Sequence, residues 1–198
     1  MSDYGPDAIA TPANMVTVVR LLVAPLLFAM IAQRPSGWVV FILWVALSLT
    51  DGIDGWIARR QGTTRSGAFL DPLADKVLVL GAMFALVGAG RFLVWPVVII
   101  AAREVAISLY RLWWGRRGLA IPARRSAKWK TFVQTVAVGA VLCPLTTDAV
   151  WLGEWLLYAA TALAVFSAVQ YVIDGGRAMT AMDRAAGPAG PAPTTEHP

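Results

Sequence analysis

The chain is poor in the residues that hold together secreted domains and that serve many soluble enzymes. It contains one cysteine, Cys143, and one histidine, His197. A single cysteine excludes an intrachain disulfide, and the apolar run around Cys143 indicates a small core or lipid-facing residue. His197 lies in the C-terminal tail, so we do not expect catalysis by histidine. Charged residues make up only 15% of the chain and hydrophobic residues 58%, which is too apolar for an ordinary soluble domain.

Long apolar segments account for this composition and predict an all-α, polytopic membrane protein with six transmembrane helices in one compact domain. Each segment is long enough, or nearly so, to cross about 30 Å of hydrocarbon as a helix. Turn residues separate the segments, and tryptophans cluster near their ends, as is typical of membrane interfaces. The predicted segments are Val16–Ala32, Trp38–Ala58, Pro72–Ala89, Phe92–Trp114, Trp129–Leu145 and Val150–Ile173.

The two ends of the chain are predicted to lie outside the membrane domain. Residues 1–15 form a short polar segment that lacks the basic region and the cleavage site of a signal peptide. Residues 16–176 form the six-helix membrane domain. Residues 177–198 are predicted to be a cytoplasmic tail that is largely disordered, because Gly, Pro, Ala and Thr dominate the composition from Ala185 onward.

The basic residues lie almost entirely on one side of this predicted topology. The net charge of +5 and the isoelectric point near 9.9 would also suit a nucleic-acid-binding protein. Alternating helices, however, place fifteen Lys and Arg residues on one side and only Arg34 and Arg91 on the other. Such an asymmetry is typical of the cytoplasmic side of a membrane protein. We therefore expect no nucleic-acid partner, and a multi-pass protein of the inner (plasma) membrane with both termini cytoplasmic.

Two pairs of aspartates lie at the cytoplasmic ends of the second and third predicted helices. Asp51 and Asp54 are spaced i, i+3, and Asp71 and Asp75 are spaced i, i+4, so each pair lies on one helix face. A charged residue at the centre of a membrane helix costs about 2.5–3.5 kcal/mol, and the four like charges repel one another. A cation is therefore expected between them, and oxygen ligands suit Mg²⁺, Mn²⁺ or Ca²⁺.

This pattern predicts phosphoryl chemistry at the membrane surface. Two divalent ions can clamp a phosphoryl group between them, and a carboxylate not used by metal can accept a proton from an attacking hydroxyl. Gly55 and Gly67 leave room for a phosphate or for tight helix packing, and Arg59 can pair with a phosphate. A single aspartate could instead pair with Arg59, but that alternative does not explain two spaced pairs.

Together these residues match the signature D-x-x-D-G-x-x-A-R followed by G-x-x-x-D-x-x-x-D, and the chain resembles the CDP-alcohol phosphatidyltransferase family over nearly its whole length. The spacer Arg60–Ser66 has seven residues, one fewer than is common in the family, which affects where Arg65 lies. The matching residues are Asp51, Asp54, Gly55, Ala58, Arg59, Gly67, Asp71 and Asp75.

The resemblance implies the CDP-alcohol phosphotransferase fold and a reaction of phospholipid biosynthesis that depends on Mg²⁺ or Mn²⁺, with two ions. Asn14, Thr17 and Arg20, together with the Ala102–Glu104 and Lys128–Thr131 stretches, are most similar to members that transfer the phosphatidyl group of CDP-diacylglycerol to the 1-hydroxyl of sn-glycerol 3-phosphate, releasing CMP.

The resemblance also implies roles for the residues of the signature. All four aspartates would bind metal, and Asp75 would also be the general base. Family members are usually homodimers. The residues implied around the CDP group are Asp51, Gly55, Ala58, Arg59 and Gly67.

A dianionic acceptor needs cationic partners near the metal site. Basic cytoplasmic segments also occur for topology alone, so each of these cations has two explanations. Glu104 follows Arg103 and is predicted to orient it. The candidate ligands of the acceptor phosphate are Arg103, Lys128, Arg65, Arg111 and Arg124.

Three alternatives stay open from the sequence. The same chemistry could use another acceptor, namely phosphatidylglycerol (giving cardiolipin), inositol phosphate or serine. An ion transporter could use the clustered carboxylates, although such a protein would favour acidic groups near the midplane. A membrane scaffold is the third alternative, and it gives no reason for the two aspartate pairs.

Overall fold

Six α-helices make up the part of the chain that the computed structural model describes, and this part contains no β-strand. The backbone is described for residues 12–61, 65–116 and 125–185, and the side chains for residues 14–50, 73–115, 129–177 and 180. A single 3-10 turn, Pro144–Thr146, lies between the last two helices. The helices are α1 (Pro12–Gln33), α2 (Trp38–Gln61), α3 (Arg65–Gly88), α4 (Val94–Arg116), α5 (Arg125–Leu142) and α6 (Val150–Ala185).

Each predicted apolar segment is confirmed as a helix, and most helices extend beyond the apolar run that predicted them. α1 begins at Pro12, a residue that suits the first helical position because its missing N–H is not needed there. α6 has 36 residues and is about 54 Å long at 1.5 Å per residue. It therefore continues past residue 176, where the sequence predicted the membrane domain to end.

Two helices carry the strongest features of membrane spans among the described residues. They are Asn14–Gln33 in α1 and Val150–Arg177 in α6, and only 28% and 33% of these segments is buried inside the protein. Their remaining apolar side chains, such as Leu22 and Trp155, face outward, as expected of helices in contact with lipid. Trp38–Thr50 and Trp129–Leu142 are shorter apolar stretches. A crossing by all six helices stays a prediction.

Three interhelical turns meet at one end of the bundle, so the helices run alternately up and down. The N–H of Gly37, between α1 and α2, donates to the carbonyl of Leu142 at the end of α5 at 3.1 Å. Ser36 and Thr147 share a hydrogen bond of 2.8 Å between their hydroxyls. Phe92, between α3 and α4, approaches Gly153 near the start of α6. Arg34 and Arg91, the two cations predicted to lie apart from the rest, belong to this end.

An apolar core fills the bundle from this end to its middle. Leu27 and Ile31 of α1, Met83 of α3 and Leu157 of α6 are fully buried in it. Trp44 of α2 is the largest fully buried side chain among the described residues. Its indole N–H donates to the carbonyl of Thr135 in α5 at 3.3 Å, which satisfies the one polar atom of the ring and sets the register between α2 and α5.

The buried faces become polar toward the opposite end, which we call the polar end. α1 shows the change clearly: its buried positions recur every three or four residues, and the first three are Asn14, Thr17 and Arg20 while the next are apolar. α5 changes in the same way. The buried polar residues that define the polar end are Asn14, Thr17, Arg20, Glu104, Lys130, Gln134 and Ser167.

α4 and α6 approach each other closely at the polar end. Gly175 of α6 faces the phenol of Tyr110 in α4, and a Cβ at position 175 would overlap the Tyr110 oxygen. The Tyr110 ring also packs edge-on against Tyr171 and Trp114, with centroids 6.4 and 6.0 Å away. A larger side chain here would force either the Tyr110 ring or α6 to shift, so the glycine allows the two helices to pack closely.

Candidate active site

The two aspartate pairs lie on continuous helices that meet at the polar end. Asp51 and Asp54 belong to the C-terminal half of α2, and Asp71 and Asp75 to the first half of α3. The helical backbone therefore places each pair on one helix face, as the spacing predicted. Asp75 is half-buried. The side chains of the other three aspartates lie outside the described residues.

The remaining residues of the signature occupy the same two helix ends. Gly55, Ala58 and Arg59 are in α2, and Arg65 and Gly67 open α3. Their side chains lie outside the described residues, so the predicted contacts with a CDP group stay predictions. Among the described side chains, which include only Asp75 of the four aspartates, there is no group of three or more potential metal ligands.

Glu104 of α4 is the centre of a buried ion cluster beside these helix ends. Its Oε1 atom accepts a hydrogen bond from Arg103 Nη1 at 3.0 Å and another from Lys130 Nζ of α5. All three side chains are less than a tenth exposed. Because a buried charge must be paired to be tolerated, one carboxylate here holds two cations from two helices.

Arg103 extends this cluster to α6. Its Nη2 donates to the Ser167 hydroxyl at 2.9 Å, and its Nε donates to the carbonyl of Ala164 at 3.3 Å. The predicted contact with Glu104 is confirmed. Arg103 therefore ties α4 to α6 and holds its guanidinium in one place.

Lys76 of α3 joins the cluster from the other side. Its ammonium donates to the Ser108 hydroxyl, which donates in turn to the backbone carbonyl of Glu104. Lys76 follows Asp75 directly, so this contact brings the turn of α3 that carries Asp75 beside the ion cluster. Among the described side chains the cluster contains three cations, and they outnumber the carboxylates even when Asp75 is counted.

The other predicted acceptor ligands have different positions. Arg111 is on α4, two turns beyond Arg103, and is exposed. Lys128 lies in the first turn of α5, two residues before Lys130, but its side chain is outside the described residues. Arg124 also lies outside them. The structure thus brings Arg103 to the polar end and leaves Arg111 peripheral, while the side chains of Arg65, Lys128 and Arg124 lie outside the described residues.

Three buried residues of this site are not among the site residues that the sequence predicts. Lys130 belongs to the basic stretch at the start of the fifth predicted helix, and Arg20 belongs to the motif that enters the first. Gln134 belongs to no motif. A useful signal was available for two of them, since Lys130 and Gln134 are spaced i, i+4 on the face of α5 that continues into buried Val138.

This arrangement fits a divalent ion and an anionic substrate lying side by side. The aspartate pairs supply only oxygen donors, which Mg²⁺ and Mn²⁺ prefer, and the helical backbone presents them at adjacent helix ends. Among the described side chains, the ion cluster next to them contains more cations than carboxylates, and an anion would balance that charge. Lys76, the residue after Asp75, contacts the same cluster, so the backbone of α3 at Asp75 runs beside it.

Comparison with known proteins agrees with this geometry. A family model described as CDP-alcohol phosphatidyltransferase matches residues 10–166, a range that includes both aspartate pairs and the ion cluster.

The chain is also similar to curated bacterial proteins over most of its length. A probable phosphatidylglycerophosphate synthase of Mycobacterium tuberculosis is 36% identical over 177 residues, which cover 85% of this chain and 83% of the relative. A CDP-diacylglycerol–glycerol-3-phosphate 3-phosphatidyltransferase of Pseudomonas fluorescens is 34% identical over 170 residues, which cover 80% of this chain and 87% of the relative. The protein of the same name from Haemophilus influenzae is 33% identical over 164 residues, which cover 79% of this chain and 88% of the relative.

The ion cluster predicts a strong effect of neutralising its carboxylate. Glu104→Gln would leave Arg103 and Lys130 buried without a negative partner, which typically costs about 3–5 kcal/mol. We expect a clear fall in the midpoint of thermal unfolding in detergent. Glu154→Gln, a control at the opposite end of α6, should change it little. An unaltered midpoint in Glu104→Gln would contradict a buried cluster centred on this residue.

Proposed function

The chain belongs to the CDP-alcohol phosphatidyltransferase family, and we propose that it transfers the phosphatidyl group of CDP-diacylglycerol to glycerol 3-phosphate, giving phosphatidylglycerophosphate and CMP. The names of the curated relatives support the two substrates. The observation that carries the proposal is the cluster of buried Arg103 and Lys130 with half-buried Lys76, beside the aspartate-bearing helix ends. A donor site alone would not need it, whereas a phosphorylated acceptor would.

The aspartates of α2 and α3 form the donor half of the site in this proposal. Asp51, Asp54, Asp71 and Asp75 would hold one or two Mg²⁺ or Mn²⁺ ions. Such ions neutralise the pyrophosphate of the donor and stabilise the departing CMP. Arg59, Gly55, Ala58 and Gly67 would lie around the CDP group, as the match to the family signature implies.

Asp75 is the proposed general base. The 1-hydroxyl oxygen of glycerol 3-phosphate attacks the phosphorus that carries the diacylglycerol. The bond from that phosphorus to the CMP oxygen breaks, and the Asp75 carboxylate accepts the proton of the hydroxyl. The position of Asp75 supports this role, because Asp75 is half-buried and directly precedes Lys76 of the ion cluster.

The ion cluster forms the acceptor half of the site. The phosphate of glycerol 3-phosphate would take a place beside Arg103 and Lys130, with Lys128, Arg65 and Arg124 as further cations around it. Glu104 keeps Arg103 and Lys130 extended toward one point. This preorganisation lowers the entropic cost of binding the dianion.

The proposal includes an orientation and an assembly. We propose a homodimeric, multi-pass protein of the inner membrane, with both termini and the polar end facing the cytoplasm. The distribution of Lys and Arg supports this orientation. In a Cys143→Ala background, Ser36→Cys should react with a membrane-impermeant maleimide from outside intact cells. Light scattering in detergent should give the mass of a dimer. Labelling of this cysteine only after cell lysis would indicate the opposite orientation in the membrane.

An acceptor panel tests the function itself. Purified protein should release CMP from CDP-diacylglycerol with glycerol 3-phosphate, and free glycerol should be a poor acceptor because it leaves the cationic pocket unpaired. Phosphatidylglycerol, inositol phosphate and serine complete the panel. Faster release with one of these three would refute the choice of acceptor, and no release with any acceptor would refute the reaction.

Kinetics of variants separate the two halves of the site. Lys128→Ala and Arg103→Ala should each raise the KM for glycerol 3-phosphate by roughly 10- to 150-fold, the value of a charged hydrogen bond of about 1.5–3 kcal/mol. The KM for CDP-diacylglycerol should change far less. Arg91→Ala, at the opposite end of the bundle, is the control and should leave both constants unchanged. If neither variant alters the acceptor KM, the phosphate binds elsewhere.

A further inference from the structure

A buried carboxamide lies beneath the ion cluster and has no role in the site described so far. Gln134 of α5 is only 3% exposed, and its Nε2 has no hydrogen-bond partner among the described residues. Folded proteins rarely keep a buried amide unpaired, because losing its hydrogen bonds to water is unfavourable. An unpaired donor at this depth therefore indicates a ligand that the carboxamide binds.

Helix geometry indicates that this carboxamide points toward the ion cluster. Gln134 follows Lys130 by one turn on the same buried face, about 5–6 Å deeper along the helix. Helical side chains lean toward the N-terminal end of their helix, and α5 begins at the polar end. The amide of Gln134 therefore extends from below toward the level at which Lys130 and Arg103 meet Glu104.

A second unpaired group lies nearby on α2. The Ser48 hydroxyl is buried and has no partner among the described residues. It is one turn nearer the polar end than Trp44, whose indole contacts Thr135, the neighbour of Gln134. Ser48 also precedes Asp51 by one turn. Two unpaired polar groups on facing helices thus lie between the aspartate-bearing end of α2 and the ion cluster.

The chemistry of the acceptor matches this carboxamide. Arg103, Lys130 and Lys76 can only donate hydrogen bonds, which suits a phosphate. A hydroxyl both donates and accepts, and a carboxamide can do the same in return. Glycerol 3-phosphate has one hydroxyl that does not react, on C2, between the phosphate and the reacting 1-hydroxyl.

We propose that Gln134 is a specificity-determining residue that hydrogen-bonds the 2-hydroxyl of glycerol 3-phosphate. This inference rests on the proposed function. Gln134 orients the acceptor between its phosphate, at the ion cluster, and its 1-hydroxyl, at Asp75. The residue does not touch the reacting atoms.

The test uses an acceptor that lacks only this hydroxyl. 1,3-Propanediol monophosphate keeps the phosphate and the reacting hydroxyl but has no group on C2. With the wild-type protein, kcat/KM should be about tenfold or more lower for this analogue than for glycerol 3-phosphate, because Gln134 is then left buried and unpaired. In Gln134→Met, which has a similar length and no amide, the ratio between the two acceptors should fall to near one.

Two further variants keep the result interpretable. Gln134→Asn retains the amide on a shorter side chain and should give an intermediate ratio of kcat/KM between the two acceptors. This variant replaces Gln134→Met in the test if Gln134→Met does not fold. Thr161→Val changes a buried hydroxyl of α6 that bonds its own helix, and this control should keep the wild-type ratio. If Gln134 had only a structural role, its substitution would lower kcat/KM equally for both acceptors and leave their ratio unchanged.

The possible results distinguish this inference from the proposed function. If the wild type uses glycerol 3-phosphate but accepts the analogue equally well, the inference is overturned and the function stands. The same holds if Gln134→Met or Gln134→Asn keeps the full wild-type ratio. If the wild type does not use glycerol 3-phosphate at all, the proposed function fails, and the inference fails with it.

Discussion

A single buried carboxylate determines how the polar end of this bundle is organised. Glu104 accepts hydrogen bonds from Arg103 on its own helix and from Lys130 on α5, and Arg103 continues to Ser167 on α6. Without Glu104 these cations could not stay buried, because an unpaired charge in this environment is strongly unfavourable. Buried ion pairs contribute little net stability compared with apolar packing, so stability alone does not explain the cluster, and binding of the substrate charge is the role that we propose for it.

The two ends of the bundle differ in the side chains that they bury, and the up-and-down arrangement of the helices places these two kinds of side chain at opposite ends. At one end, apolar side chains such as Leu27 and Leu157 fill the core, and short turns connect the helices. At the other, the buried faces of α1, α4, α5 and α6 become polar, and α2 and α3 bring their aspartates to the same level. The substrates proposed here have the same division, since CDP-diacylglycerol has apolar acyl chains and a charged headgroup.

Much of this architecture follows from local patterns in the sequence. Long apolar runs predict the six helices, and the spacing of Asp51, Asp54, Asp71 and Asp75 predicts their placement on two helix faces. The contact between Glu104 and Arg103 is also accessible, because the residues are neighbours and have opposite charge. These features depend on short-range periodicity, which a single sequence contains.

The rest depends on which helix faces meet, and no local pattern contains that information. Lys130 looks like one of many cytoplasmic cations until α5 packs beside α4 and buries it. Gln134 carries no charge and belongs to no recognised signature, so only its burial and its unpaired amide draw notice. α6 ends at Ala185, beyond the apolar run Val150–Ile173 that predicted it, because the loss of apolar residues does not by itself end a helix.

The central claim is that the aspartate-bearing helix ends and the ion cluster form one site for metal and substrates. Its most direct test is an experimental structure of the protein with Mn²⁺ and CDP-diacylglycerol, with manganese located by anomalous scattering. We predict manganese between the carboxylates of Asp51, Asp54, Asp71 and Asp75, bound to the donor pyrophosphate, on the side that faces Lys130 and Arg103. Donor bound without metal at these aspartates, or manganese at another part of the bundle, would contradict the account.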